Sequence, residues 1–276
     1  MDEFITLSKK IEFSASHRYW NDSWSEEENL KHFGKCTSKY GHGHNYVLET
    51  TVEGPVDPDT GMIINIYNLK PILKSVLKQF DHKFLNLDTD FFDDLIPTTE
   101  NFAKILYECI DEKLKDTRCK LLKVRLYETK DLFVDYWKSM SDNCTLTRIY
   151  SFSAAHRLHN DKFSDEMNKQ IFGKCNNPNG HGHDYYLELT VSGDVSPDTG
   201  MIINIEELDL EVHKVIDILD HKRLDIEIDY FINIRASGEN IAKYLWDELV
   251  NVIPKPAYLY HIRLWETSEN FFDYKG

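Results

Sequence analysis

Phe33-Gly34-Lys35-Cys36-Thr37-Ser38-Lys39-Tyr40-Gly41-His42-Gly43-His44 places a cysteine six positions ahead of a His-Gly-His triplet. The chain repeats it once, as Phe172-Gly173-Lys174-Cys175-Asn176-Asn177-Pro178-Asn179-Gly180-His181-Gly182-His183. A run of alternating character follows the first copy, with Tyr46, Leu48, Thr50 and Val52 on one parity. That alternation predicts an extended strand, in which side chains two apart share a face. His42 and His44 then point the same way, about 7 Å apart, as a pair of ligands for one metal. Gly43 adds no side chain to the opposite face, so another backbone can approach there.

The repetition extends far beyond this stretch. His17, Cys36, His42, His44, Asp81 and Glu100 return as His156, Cys175, His181, His183, Asp220 and Glu239, each 139 positions on, and Glu128 returns as Glu266. A unit of that length is too long for a solenoid repeat, so each copy reads as a whole domain. The boundaries fall at residues 1–137 and 145–276, joined by a short linker from about Trp137 to Cys144.

Each copy reads as an α+β unit. A strand (about Phe4–Ser16, then about Thr145–Ala155) ends in Phe-Ser-Ala-x-His-Arg, and a polar, patternless loop follows. The histidine strand comes next. The turn at Val56-Asp57-Pro58-Asp59-Thr60-Gly61 leads to a short strand at Met62–Ile66 and a helix near Leu69–Phe80, closed by Asp81-His82-Lys83. Thr98 caps a second helix whose apolar face is Phe102, Ile105, Leu106, Cys109 and Ile110. A last strand, about Leu121–Thr129, carries Glu128.

Composition narrows the function. With 32 Lys and Arg against 47 Asp and Glu, the net charge of −15 is no footprint for nucleic acid. The acidic start and the lack of a long apolar run predict neither a secretory signal nor a membrane span, and a cytoplasmic protein. Five cysteines, an odd number, suit reduced thiols better than a disulfide framework.

The trios His17, His42, His44 and His156, His181, His183 supply three imidazoles each. That donor set suits zinc with its fourth position open, the catalytic form of such a site. Cys36 and Cys175 read as a fourth ligand, a buried apolar group or a thiol made reactive by the adjacent Lys35 and Lys174. Asp81-His82 and Asp220-His221 read either as proton relays or as helix-end histidines. Glu128 and Glu266 can accept two N–H groups from a guanidine-like edge, or stand exposed at a strand end. Glu100 and Glu239 suit a helix N-terminus.

Taken in order, Phe-Ser-Ala-x-His-Arg, Phe-Gly-Lys-Cys five residues ahead of His-Gly-His, Asp-Thr-Gly-Met-Ile-Ile-Asn, Asp-His-Lys, Glu-Asn and Glu-Thr resemble the 6-pyruvoyl tetrahydropterin synthase family, twice over. The resemblance implies two tandem tunnelling-fold (T-fold) domains, each a four-stranded antiparallel sheet with two helices on one face. Three such units close into a β-barrel and two barrels stack, so two units per chain imply a homo-oligomer, a trimer of chains. It implies a zinc-dependent lyase of tetrahydrobiopterin-type pterin biosynthesis, converting 7,8-dihydroneopterin triphosphate to 6-pyruvoyl-tetrahydropterin and triphosphate. Zinc would sit one per domain on the two histidine trios, with Mg2+ accompanying the triphosphate. Cys36 and Cys175 would be the thiolate base, assisted by Asp81, His82, Asp220 and His221. Glu128 and Glu266 would anchor the pterin, and Thr99, Glu100, Gly238 and Glu239 would line its pocket, typically from a neighbouring unit. Arg18, Arg157, Lys35 and Lys174 would lend charge near the phosphates. Two other readings share the motifs: the related 6-carboxytetrahydropterin synthase of queuosine biosynthesis, which resembles a shorter Cys-to-His loop, and a non-catalytic zinc- or pterin-binding duplicate.

Overall fold

β1 (Phe4–His17) and β2 (His42–Pro55) pair antiparallel along their whole length, which sets His17 opposite His42. The computed structural model describes residues 4–138 and 142–276. These fall into two compact units, one running up to Leu146 and taking in Gly193–Asn204, the other formed by Thr147–Ser192 and Ile205–Gly276. A segment of the second sequence repeat is therefore part of the first unit.

In the first unit β4 (Lys120–Thr129) pairs antiparallel with β2, and β5 (Leu132–Lys138) with β4. The two-residue β3 (Lys83–Phe84) adds to β1 in parallel, giving the order β5-β4-β2-β1-β3. α1 (Glu26–Phe33) precedes the histidine strand, α2 (Ile66–Leu77) follows it, and α3 (Thr99–Leu114) packs on α2, β4 and β5. Alternation in β1 and β2 sends Phe13, Tyr46 and Leu48 to the buried face, where Phe13 and Tyr46 meet Phe102 of α3. Phe13 stacks on Tyr46 at 5.4 Å, and Phe102 stands edge-on to both at 5.8 and 5.5 Å. Burial of side chains this size stabilises by about 1.5–3 kcal/mol each, and this cluster is the floor on which the histidines rest.

The second unit repeats the plan with β6 (Asp142–His156), β7 (His181–Ser192), β8 (Lys222–Arg223), β9 (Tyr258–Trp265) and β10 (Phe271–Tyr274), ordered β10-β9-β7-β6 with β8 beside β6. Its helices are α4 (Asp165–Phe172), α5 (Ile205–Leu219), the single turns α6 (Leu224–Glu227) and α7 (Asp229–Ile232), and α8 (Gly238–Leu249). Phe152 on Tyr185, stacked at 5.0 Å, reproduces the Phe13–Tyr46 pair. The class is mixed helix and sheet.

Several local expectations are corrected. Met62–Asn65 forms no strand: the chain bends there, and Asn65 caps a helix that starts at Ile66, earlier than expected. That helix ends at Leu77, so Asp81-His82-Lys83 lies beyond it in a turn entering β3. The polar loop hides α1, whose signal is the capping box of Ser25 and Glu28. Residues 139–141 of the expected linker lie outside the described residues, and its flanks are strand ends, since β5 runs to Lys138 and β6 starts at Asp142. β5 itself forms because Lys130 and Asp131 turn the chain back onto β4, burying Phe133, Val134 and Tyr136.

Among the described residues, no helix is long and apolar enough to cross a membrane.

Candidate functional site

The pairing of His17 with His42, and the two-residue step from His42 to His44, turn three imidazoles to one side of the sheet. Ring centroids lie 4.6 Å apart for His17 and His42, 5.2 Å for His17 and His44, and 4.9 Å for His42 and His44. His156, His181 and His183 repeat the arrangement at 4.5, 5.2 and 5.0 Å.

The tautomers are set from behind. His17 Nδ1 meets the Pro97 carbonyl at 3.0 Å, and His156 Nδ1 the Ala236 carbonyl at 2.5 Å, which leaves each Nε2 to face inward. His17 Nε2 and His42 Nε2 then stand 3.2 Å apart, and His156 Nε2 and His181 Nε2 3.1 Å. Two neutral imidazole lone pairs at that distance repel unless a proton or cation lies between them. About 3.3 Å is also the spacing of two ligands on a tetrahedral zinc with bonds of about 2.0–2.1 Å. His44 Nε2 and His183 Nε2 are buried without a hydrogen-bond partner. Burial pushes His17 down to about 4, and burial also lowers His42, His181 and His183. A lowered value favours the neutral ring in these four, the form in which an imidazole binds a metal. Among the described residues, the two trios are the groups of three or more side chains placed to hold a metal. No such group accompanies the Mg2+ expectation.

Around each trio stand the other chemical groups. A 3-10 turn, Gly34–Thr37, brings Cys36 Sγ to 3.9 Å from His42 Nε2. Cys175 occupies the matching turn, Gly173–Asn176. Both thiols are half-buried, whereas burial pushes the thiols of Cys109, Cys119 and Cys144 up.

Glu128 is buried at the end of β4. Its carboxylate accepts hydrogen bonds from Tyr19 Oη (3.2 Å) and from the Thr99 hydroxyl, and it lies 3.6 Å from His44 Nε2. Glu266 stands 3.9 Å from His183 and 3.8 Å from His156. Glu100 is buried, and burial raises it to about 7, although it accepts the Ile202 amide at 3.0 Å. Glu239 is exposed, and Gly238 lies under the Phe272 ring.

Asp81 and His82 are arranged differently. His82 is a non-glycine residue in the left-handed region (φ 58°), as is His221 (φ 57°). That conformation is uncommon for a histidine and is held by cross-links to the neighbouring strand. The His82 amide donates to the Ser14 carbonyl, the Ser14 amide donates to Asp81, and Asp81 meets His82 Nδ1 at 2.9 Å. His221, Ser153 and Asp220 repeat the set, and the Ser153 amide followed by the His221 ring holds the Asp220 carboxyl below the usual range. Both imidazoles are about four-fifths exposed (81% and 80%). His82 lines a cleft with Ser14, Ala15, Ser16, Gly43, His44 and Asn45, residues of both parities of β1 and β2 that include one member of the histidine trio. The fold thus gathers the trio, Cys36 and Glu128 together and sets the Asp81–His82 pair beside β1, bonded to Ser14.

Arg18 stacks over Trp20 (3.8 Å to the ring centroid) and donates from Nε to the Thr37 carbonyl, whereas Arg157 bonds Asn176 and His159. Sequence reasoning missed Tyr19, whose ring packs on His17 while its hydroxyl reaches Glu128. The second repeat has Leu158 there.

The sequence profile of 6-pyruvoyl tetrahydropterin synthase matches residues 6–139 and again 145–276. The chain belongs to that family. A 6-pyruvoyl tetrahydrobiopterin synthase from Poecilia reticulata is 47% identical over 132 residues, covering 48% of this chain and 89% of the relative. The solved 6-pyruvoyl tetrahydropterin synthase of Caenorhabditis elegans is 44% identical, covers 48% of this chain and 94% of its own, and superposes with a TM-score of 0.46. A 6-carboxy-5,6,7,8-tetrahydropterin synthase from Aquifex aeolicus is more distant, 27% identical over 157 residues, covering 47% of this chain and 96% of its own. Each relative spans about half of this chain, as a duplicated unit requires. This member of the 6-pyruvoyl tetrahydropterin synthase family is an enzyme, a pterin synthase by kinship.

Proposed function

We propose that each half, residues 1–137 and 145–276, is a T-fold domain with a zinc-dependent site that converts 7,8-dihydroneopterin triphosphate to 6-pyruvoyl-tetrahydropterin and triphosphate. The observation that carries this reading is the coincidence, in both halves, of three inward Nε2 atoms, a half-buried cysteine in the adjoining turn and a glutamate within 3.9 Å of a histidine ligand. When bound, zinc supplies Lewis acidity that makes the C–H and O–H bonds of a coordinated diol easier to break.

The chain's own residues would do the rest. Glu128 and Glu266 accept the paired N–H groups of the pterin edge, with Thr99 and Tyr19 fixing the Glu128 carboxylate and Glu100, Gly238 and Glu239 lining the pocket. Cys36 or Cys175, as thiolate, takes a proton from the side chain, and a proton is returned to the pterin ring. Oxidation of one side-chain hydroxyl carbon to a carbonyl supplies the two electrons that reduce the ring C=N bond, and elimination of triphosphate breaks its C–O bond to leave an enol that becomes the second carbonyl and a methyl group. No external oxidant is needed. Asp81 and Asp220 orient His82 and His221 as proton carriers. Three chains would supply the six units of two stacked barrels.

Five residues separate cysteine from histidine in both copies, which favours the pyruvoyl product over the carboxy one. Product analysis with dihydroneopterin triphosphate and zinc tests this. Formation of 6-pyruvoyl-tetrahydropterin with stoichiometric triphosphate is expected, release of acetaldehyde would assign the carboxy reaction, and no turnover by metal-loaded protein would sink both.

A further inference from the structure

Glu128 and Glu266 stand at the same place in the two copies, yet their carboxylates are held differently. Glu128 Oε2 accepts the Tyr19 hydroxyl at 3.2 Å and the Thr99 hydroxyl, while Oε1 faces His44 Nε2 at 3.6 Å. Both donors are buried. The positions aligned with them in the second repeat are Leu158 and Gly238, and neither carries a hydroxyl. Tyr46 and its counterpart Tyr185 are common to the two copies and do not distinguish them. Glu266 Oε1 lies 3.8 Å from His156 Nε2 and 3.9 Å from His183 Nε2. Its side chain is the more exposed of the two, 16% against 9%.

The missing threonine hydroxyl is built into the second unit. A Cβ on Gly238 would overlap the Phe272 ring, which takes the space that a threonine side chain would need. Phe272 pairs with Leu264 on β9, where Val134 pairs with Leu126 on β4. Threonine with valine in one copy is thus answered by glycine with phenylalanine in the other, and a donor gives way to apolar bulk.

A glutamate side chain loses rotamer freedom when it grips a ligand, and that cost falls either on folding or on binding. In the first copy two buried hydroxyls fix the carboxylate before a ligand arrives. In the second, the same order has to be imposed by the ligand. A fixed carboxylate also sets the direction from which paired N–H groups are received, so it discriminates more sharply between edges that offer two donors and edges that offer one.

We propose that Tyr19 is a positioning residue for the edge-binding carboxylate and makes the two sites of one chain unequal, the first tight and selective, the second loose. The proposal rests on the reading that Glu128 and Glu266 receive the paired N–H groups of the pterin. Leu158 is the reason the second site lacks the device, together with the exchange at Gly238.

Equilibrium binding to the zinc-loaded full chain tests this without turnover. The probes are pterin itself and the pteridine analogue that lacks its exocyclic amino group. Wild type should bind pterin in two classes of one equivalent each, with dissociation constants about three- to tenfold apart. Tyr19→Phe keeps the ring and removes only the hydroxyl. It should bring the tight class down to the loose one, with zinc still at two equivalents. The preference of that site for pterin over the analogue should fall by the same factor. A merely structural role would weaken both probes alike, so an unmoved preference overturns the proposal, as does a single class of sites in wild type. Glu128→Gln separates this from the reading beneath it. Loss of the tight class in Glu128→Gln but not in Tyr19→Phe refutes the role of Tyr19 alone. A tight class that survives Glu128→Gln removes the glutamate as anchor, and both statements fall.

Discussion

His17 shows how much a single residue is asked to do: its Nδ1 is spent on the Pro97 carbonyl and the Tyr46 hydroxyl, so only Nε2 is left for a ligand. Replacing it by alanine should lower bound zinc from two equivalents per chain to one, with the far trio still loaded. Elemental analysis of the purified variant checks this, and retention of both equivalents would remove His17 from the ligand set. Cys36→Ala and Cys175→Ala should each cut turnover by about half while leaving zinc content unchanged, since each thiol serves one site and is not needed to hold the metal. Complete loss from one change and none from the other would mean a single competent half. Glu100 carries a pH prediction. Its folded value of about 7 lies above the ordinary 4.5, so between these values the folded state binds more protons than the unfolded one. Stability then falls as pH rises through that window and levels off above it. Glu100→Gln, which keeps an acceptor for the Ile202 amide, should flatten that fall and gain on the order of 1–3 kcal/mol at pH 8. Urea denaturation at several pH values decides, and equal pH slopes for the two proteins would refute the assignment.

At the scale of elements, legibility followed periodicity. β1, β2 and α3 were readable because alternation or an i, i+3, i+4 stripe marks the buried face, and Phe102, Ile105, Leu106 and Ile110 are indeed buried. α1 was not, because its mean composition is polar and its stability lies in side-chain hydrogen bonds rather than in an apolar stripe. Asn29 is the clearest case. Fully buried, it accepts the Asn21 amide and donates to the carbonyls of Asn21, Trp24 and Ser25, and Asn168 repeats the set with Asn160, Phe163 and Ser164. These bonds clamp the loop over the helix that leads into the Cys36 turn. Asn29→Ala would strand several buried polar groups and should cost about 2–4 kcal/mol. Faster hydrogen exchange over residues 21–33 is the readout, and unchanged exchange there would show that water substitutes for the amide. Met62–Ile66 misled for the opposite reason: an apolar run looks like a buried strand, yet Met62 and Ile66 are 40% and 49% exposed.

For the whole molecule, the constant step of 139 positions made the duplication and both histidine trios legible, because the same residues return at one fixed offset. What a linear repeat could not reveal is that one copy of an identical motif is seated and the other exposed, since that depends on chain connectivity and not on residue type. The count of units bears on assembly. If each barrel takes three units and two barrels stack, six units come from three chains. Light scattering on zinc-loaded protein should therefore give three times the chain mass, unchanged on concentration. A mass of two or four chains would break the count of units, and a mass that climbs steadily with concentration would mean that the contact makes an open filament rather than a closed ring.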